Sequence, residues 1–220
     1  MGVLSSSASR RGRASRPGSH SPSSADPFLV IGLGNPGSSY DNTRHNIGQM
    51  ALDELASRAL PTPLTLSRHK KTNTDVAQMS LPGPGGSCVP VILGRPRSYM
   101  NLSGGPTASL ARYFHVLADN VIVLHDDLDL EFGTIRLKRG GGEGGHNGLR
   151  DITKALGTKN YLRVRVGVGR PPGRMSPADF VLTKFSVKEA TDVQIMCADA
   201  ADAVELLIAH GLEYAQNEVH

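Results

Sequence analysis

Two short apolar runs, Phe28-Leu29-Val30-Ile31 and Val121-Ile122-Val123-Leu124, constrain this chain more than any other feature of it. Both lack the length of a buried helix, and the second is almost wholly β-branched, so each reads as a buried strand. Between and after them the pattern keeps switching to helical spacing. Ile47, Met50, Ala51 and Leu55 share one face of a helix expected from about His45 to Leu60, closed by Pro61 and Pro63. Strands follow near 74–80 and 88–94 across the turn Pro82-Gly83-Pro84-Gly85-Gly86, then a helix over 103–115. A strand near 134–138 runs into a glycine segment from Gly140 to Gly145. A helix over 147–156 stops at Gly157, and 162–168 alternates like a strand. The last helix opens on the capping box Ser186-x-x-Glu189, keeps Val193, Met196, Ala200, Val204 and Leu207 in register, and stops at Gly211. Strands and helices alternate without internal repeats, which gives the α/β class: one domain with a mixed, mostly parallel twisted sheet flanked by helices.

That domain spans 26–220. Residues 1–25 are rich in Ser, Gly and Arg and too poor in apolar residues to offset the entropy of ordering, so they are expected to form a disordered tail. An Arg-rich, acid-free leader also fits a transit peptide, which leaves a cytoplasmic or a mitochondrial location open. No apolar run approaches the roughly 18 residues of a membrane span. Cys88 and Cys197 have no metal-ligand spacing, and neither a disulfide nor a bound metal is expected. The formal charge of +4 comes from the tail, whose Arg10, Arg11, Arg13 and Arg16 leave 20 basic against 20 acidic residues in the rest. Within the domain the charge is uneven. From Arg136 to Lys188 there are 12 Lys and Arg against Glu143, Asp151 and Asp179, while 189–220 holds seven acids and no Lys or Arg. A basic stretch of this kind suits a polyanionic partner, or forms an ordinary solvated face.

Gly32-Leu33-Gly34-Asn35-Pro36-Gly37 matches the dinucleotide fingerprint directly after a strand, but its context is wrong. Pro36 lacks one of the N–H donors a pyrophosphate needs, and 38–42 intervene before helical spacing begins. The acid expected about 20 residues on would be Asp53 or Glu54, inside the helix. No nucleotide cofactor is expected; the glycines serve a tight loop that presents Asn35.

Four polar clusters fall where strands or loops meet helix starts, the usual place for sites in such folds. They are Asn35 with Tyr40 and His45, Tyr99-Met100-Asn101, His125-Asp126-Asp127, and His146-Asn147. Singly, each has a structural explanation as a turn, a cap or a core histidine. Together they suggest chemistry. His45 opens a helix, whose macrodipole favours the neutral ring, and Asp126 ends a buried strand. If Asp126 accepts the Nδ1 hydrogen of His45, Nε2 is left free to take a proton from water. No G-x-S-x-G elbow, Cys–His pair or clustered metal ligands compete with that scheme.

These clusters also resemble, in order and spacing, the four signatures of the bacterial-type peptidyl-tRNA hydrolases. The first is Gly32 through Gly37 with Tyr40 and Thr43-Arg44-His45-Asn46; the second is Tyr99-Met100-Asn101-Leu102-Ser103-Gly104. The third is His125-Asp126-Asp127-Leu128-Asp129-Leu130, and the fourth runs from Gly140 to Leu149. The match covers about 28–212. It implies a monomeric, cofactor-free esterase that cuts a peptide from the tRNA ribose and so recycles tRNA. It further implies His45 as base, Asp126 as its carboxylate partner, and Asn35 as the residue that distinguishes N-blocked from free aminoacyl groups. Tyr40, Tyr99, Asn101 and Asn147 would contact the aminoacyl-adenosine end or the peptide, His146 would neighbour them in the substrate cleft, and Lys138 and Arg165 would contact the tRNA phosphates. Four features depart from the family pattern: Asp127 where Glu is usual, Glu143 in the glycine segment, the basic stretch Gly94-Arg95-Pro96-Arg97-Ser98, and the segment before Asp26. A non-catalytic RNA-binding protein on the same fold is the alternative. With no Trp and only 5% aromatic residues it would lack a stacking platform, and the His45–Asp126 pairing would go unexplained.

Overall fold

In a computed structural model, residues 26–220 are described. The basic segment 1–25, read above as a tail or transit peptide, lies outside the described residues. The chain runs β1 (Phe28–Gly32), α1 (Ile47–Ser57), β2 (Ser67–His69), β3 (Thr74–Pro82), β4 (Cys88–Pro96), α2 (Gly104–Tyr113) and β5 (Val121–Asp127). It continues through β6 (Ile135–Arg139), α3 (Asn147–Leu156), β7 (Leu162–Gly167), α4 (Pro177–Val181), α5 (Ala190–His210) and α6 (Leu212–Val219). The strands form one seven-stranded sheet in the order β2-β3-β4-β1-β5-β7-β6. The inner pairs β4–β1, β1–β5 and β5–β7 are parallel, and antiparallel pairing closes both sides. The two apolar runs are therefore neighbours at the centre, with Leu29 beside Val121 and Ile31 beside Val123.

Alternation along β1 divides the core. Phe28 and Val30 join α1 and α5 on one face of the sheet, while Leu29 and Ile31 join α2 and α3 on the other. Leu29, Val30 and Ile31 are wholly buried, and each such side chain contributes on the order of 1.5–3 kcal/mol relative to exposure. Helix ends follow their sequence signals where a specific residue sets them. Ser186 and Glu189 form the expected capping box, and Gly157 closes α3 at φ 71°.

Some bounds differ from expectation. α1 begins after a 3-10 turn, Arg44–Asn46, and ends at Ser57, short of the prolines; Leu60 is 93% exposed, so nothing holds a further turn. β3 and β4 extend to Pro82 and Pro96 because their antiparallel register continues to Pro82↔Cys88. β2, α4 and α6 carry too little periodic pattern to be read beforehand. Gly211 does stop α5, at φ 82°, but the chain turns there and forms α6. α6 lies along the free side of the edge strand β6. Leu137 N–H donates to His220 Nε2 at 2.7 Å, and Leu137 C=O accepts from Gln216 Nε2 at 2.9 Å.

Candidate active site

The parallel strands β4, β1 and β5 end on one side of the sheet, and the polar clusters gather there. α1 is brought down onto that end by a glycine: a Cβ on Gly48 would lie 2.2 Å from Leu124 O. Leu33 N–H donates to that same carbonyl at 3.1 Å, and Gln49 N–H to Leu33 O at 3.1 Å. Three residues before Gly48 and two after Leu124, His45 and Asp126 meet, with Nδ1 and Oδ1 2.8 Å apart. Gly32 and Gly34 serve the same close approach rather than a phosphate, since a Cβ on either would strike α1 or its side chains at 2.6 Å.

Asp126 is 3% exposed and holds a second imidazole: His146 Nε2 lies 3.0 Å from the same Oδ1. The tautomer of His146 is set independently, because its Nδ1 accepts from Gly148 N–H and Leu149 N–H as the N-cap of α3. Its proton is therefore on Nε2 and is donated to Asp126. Burial works to raise the pKa of Asp126, but the two rings outweigh it and hold the carboxyl below the ordinary range. The His45 and His146 rings stand 4.9 Å apart. His125, buried beneath them, donates Nδ1–H to the Asp126 carbonyl at 2.7 Å. Burial and the neighbouring His146 push its pKa down to about 3, so it is a neutral part of the floor.

A cleft of about 690 Å³ opens over this centre, lined among others by His45, Asp126, Lys138, His146, Asn147 and Arg165. Asn35, Tyr40, Tyr99 and Asn101 do not line this cleft; they group with one another through Met100 and the two tyrosine rings. Asn35 is buried, its Oδ1 accepts from Met100 N–H at 2.8 Å, and its backbone N–H and C=O are both held by the Asn46 side chain. Tyr40 and Tyr99 meet edge to face at 6.2 Å, with Tyr99 55% exposed, and Asn101 is exposed beside them.

Three of the departures from the family pattern have local partners. Asp127 accepts from Asp129 N–H through Oδ1 and from Arg165 Nε at 2.8 Å through Oδ2. The Glu143 carboxylate is 3.5 Å from Lys159 Nζ, which answers its charge. Arg95 pairs with Asp53, and Arg97 with Asp75.

Two contributors escaped the sequence reading. Asn46 clamps the Asn35 backbone, and nothing marked it apart from its place beside His45. Arg163 is 2% exposed; it donates to Gly142 O at 2.7 Å and to Gly141 O at 3.2 Å, and stacks 4.7 Å from the Tyr161 ring. Its strand pattern, Leu162-Arg163-Val164-Arg165, gives both arginines one face and only the fold tells them apart. The glycine segment is pinned by Arg163 over its first half. His45, Asp126 and His146 are also the one group whose ligand atoms cluster, within 4.8 Å, among the described residues. A cation there would have to displace the imidazole protons that Asp126 now accepts.

A family model described as peptidyl-tRNA hydrolase matches residues 29–220. A peptidyl-tRNA hydrolase of Rhodococcus erythropolis is 58% identical over 197 residues, covering 90% of this chain and all of that protein. One from Kineococcus radiotolerans is 57% identical over 198 residues, covering 89% and 98%. Among solved structures, the peptidyl-tRNA hydrolase of Acinetobacter baumannii superposes with a TM-score of 0.77 at 34% identity, covering 92% of this chain and 97% of that one.

Proposed function

The chain belongs to the peptidyl-tRNA hydrolase family and hydrolyses the ester of peptidyl-tRNA, and from that premise we propose that His45 is the general base. With Nδ1–H given to Asp126, the His45 Nε2 lone pair takes a proton from water as that water attacks the ester carbonyl. The imidazolium so formed is stabilised by the buried carboxylate and returns the proton to the departing ribose oxygen. His146 keeps that carboxylate in place through the second hydrogen bond. Asn35 engages the peptide carbonyl through its unpaired Nδ2, with Tyr40, Tyr99, Asn101 and Asn147 around the acylated adenosine. Lys138 and Arg165 take tRNA phosphate, Arg165 exchanging Asp127 for it. The enzyme acts as a monomer and needs neither metal nor cofactor. The observation that carries this reading is the 2.8 Å contact between His45 and a carboxylate that is itself buried and doubly held. The relatives are bacterial, and no helix among the described residues is long and apolar enough to cross a membrane. Nothing there favours the mitochondrial reading of the N-terminal segment.

His45→Ala should lower turnover of N-acetyl-aminoacyl-tRNA by roughly 10² to 10⁴, while tRNA binding stays intact. A variant keeping more than about a tenth of wild-type turnover would overturn the assignment, because that loss is only about 1.4 kcal/mol. Wild-type turnover should survive excess chelator; loss of activity restored by a divalent metal would move the chemistry to a cation.

A further inference from the structure

The basic residues expected to meet RNA lie on β6 and β7, at one side of the sheet. A second concentration lies at the other side and has no part in the scheme above. Between residues 59 and 118 there are six Lys and Arg against a single acid, Asp75. Two of the six are committed, Arg95 to Asp53 and Arg97 to Asp75. Arg68, Lys70, Lys71 and Arg112 are exposed and make no ion pair among the described residues.

Lys71 adjoins an aromatic face to which His69 also turns. Arg112 precedes Tyr113 in α2, Lys70 shares the turn with Lys71, and Arg68 alternates to the other side of β2, opposite Asp75. Lys71 Nζ stands 5.6 Å from the Tyr113 ring centroid, and His69 packs against the same ring at 4.6 Å. Phe114 braces Tyr113 at 5.0 Å, yet Tyr113 stays 46% exposed. His69 is fixed in turn by a 2.8 Å contact between its Nδ1 and Thr72 Oγ1. The result is a rigid, half-open ring plane flanked by uncompensated cations, which is the chemistry that takes a nucleic-acid backbone and its bases.

The strand register puts this face at the catalytic end of the sheet. His69 pairs with Thr74, Thr74 with Pro96, and β4 runs parallel to β1. The turn between β2 and β3 thus lies level with the strand ends that carry Asn35 and Asp126. It is also joined to them, since Arg97 N–H donates to Asn73 O at 3.0 Å, two residues before Tyr99. From β2 to β7 there are five strand spacings, roughly 24 Å at about 4.8 Å each.

We propose that Lys70, Lys71, Arg112 and Tyr113 form a second RNA-contact face, which takes the backbone of the tRNA body on the side of the catalytic centre opposite Lys138 and Arg165. This rests on the reading of the chain as a peptidyl-tRNA hydrolase acting at His45. The substrate is then held from both sides of the cleft, and its acylated end is centred over β1 and β5.

The test compares full-length N-acetyl-aminoacyl-tRNA with an N-acetyl-aminoacyl CCA trinucleotide, for the wild type and a Lys70→Ala/Lys71→Ala double variant. Both lysines are exposed in a turn, so the fold should be kept, and a melting curve checks it. The double variant should raise KM for the full-length substrate on the order of tenfold at low salt and leave kcat alone. The slope of log kcat/KM against log salt should flatten by about two, roughly one per lysine. The trinucleotide should be cut at the wild-type rate. Tyr113→Leu should raise KM for the full-length substrate without changing that slope. An unchanged KM and slope in the double variant would overturn the proposal, as would equal losses on both substrates. If the wild type cut neither substrate, the catalytic reading itself would fall and take this face with it. A wild type active on both, with variants indistinguishable from it, would fault the RNA face alone.

Discussion

The side-chain amide of Asn35 has one end occupied, because its Oδ1 accepts Met100 N–H. That contact fixes which end is which and leaves the Nδ2 hydrogens without a hydrogen-bond partner among the described residues. A peptide carbonyl can accept from them. A free aminoacyl group offers instead an amine with a reference pKa of about 7.7 to 8, largely protonated near neutrality, and leaves the donor unpaired. An unpaired buried donor costs about 1–3 kcal/mol, roughly 5- to 150-fold in rate. Asn35→Asp keeps an oxygen for Met100 N–H but cannot donate, and it attracts the ammonium. The ratio of kcat/KM for N-blocked over free aminoacyl-tRNA should therefore fall by a factor in that range. If both rates fell together and the ratio held, Asn35 would shape the loop and selectivity would lie elsewhere. At this scale the sequence was legible where a residue carries its own chemistry, as His45 and Asp126 do. It was silent on Arg163, because the glycine segment that buries it arrives from another part of the chain.

At the scale of the element, the meeting of α1 with the ends of β1 and β5 makes the site, and Gly48 is its closest point. A methyl there would press on Leu124 O and on Leu33 N, backbone atoms that cannot step aside. Gly48→Ala should cost about 1–3 kcal/mol of stability, as overpacking does, and lower kcat by parting His45 from Asp126. Gly105→Ala is the control: it lies in α2 with open space around its would-be Cβ, so activity should be unchanged and Tm equal or higher. Melting curves and turnover for the pair check this, and similar behaviour of the two variants would refute it. Elements announced by a local device, such as α3 with its stop at Gly157, matched their expected bounds, although the cap that opens it is His146 and not Asn147. β2 is three polar residues held by its register with β3, and α4 is a single turn capped by Ser176. Their patterns are too short to show a period, so only tertiary contact reveals them.

Across the whole molecule, acid should weaken the fold in a particular window. His125 is buried with its pKa pushed down to about 3, so the unfolded chain takes up its proton near pH 6.5 while the folded chain refuses it. Stability must then decline as pH falls below about 6.5, by at most about 1.4 kcal/mol per pH unit from this group, until the folded ring also titrates. Asp126 works in the same direction at lower pH: its pKa is held below the ordinary value, and the stability it adds above that value is lost as pH falls. His125→Asn keeps a donor for the Asp126 carbonyl but does not titrate. Its Tm should vary less than the wild type's between pH 6.5 and 4.5. Superimposable slopes would place the acid sensitivity elsewhere.

The contacts of α6 with Leu137 bear on how this protein behaves in a crowd. An exposed strand edge invites another chain to add itself, and repeated addition builds aggregates. Here the outward N–H and C=O of Leu137, at the middle of β6, are taken by His220 and Gln216, which stand in for the backbone of a next strand without offering one. The opposite edge ends in β2, three polar residues followed by two lysines, a poor template for any newcomer. One margin of the sheet is thus occupied at its middle and the other is short and polar, so each offers a newcomer little to build on.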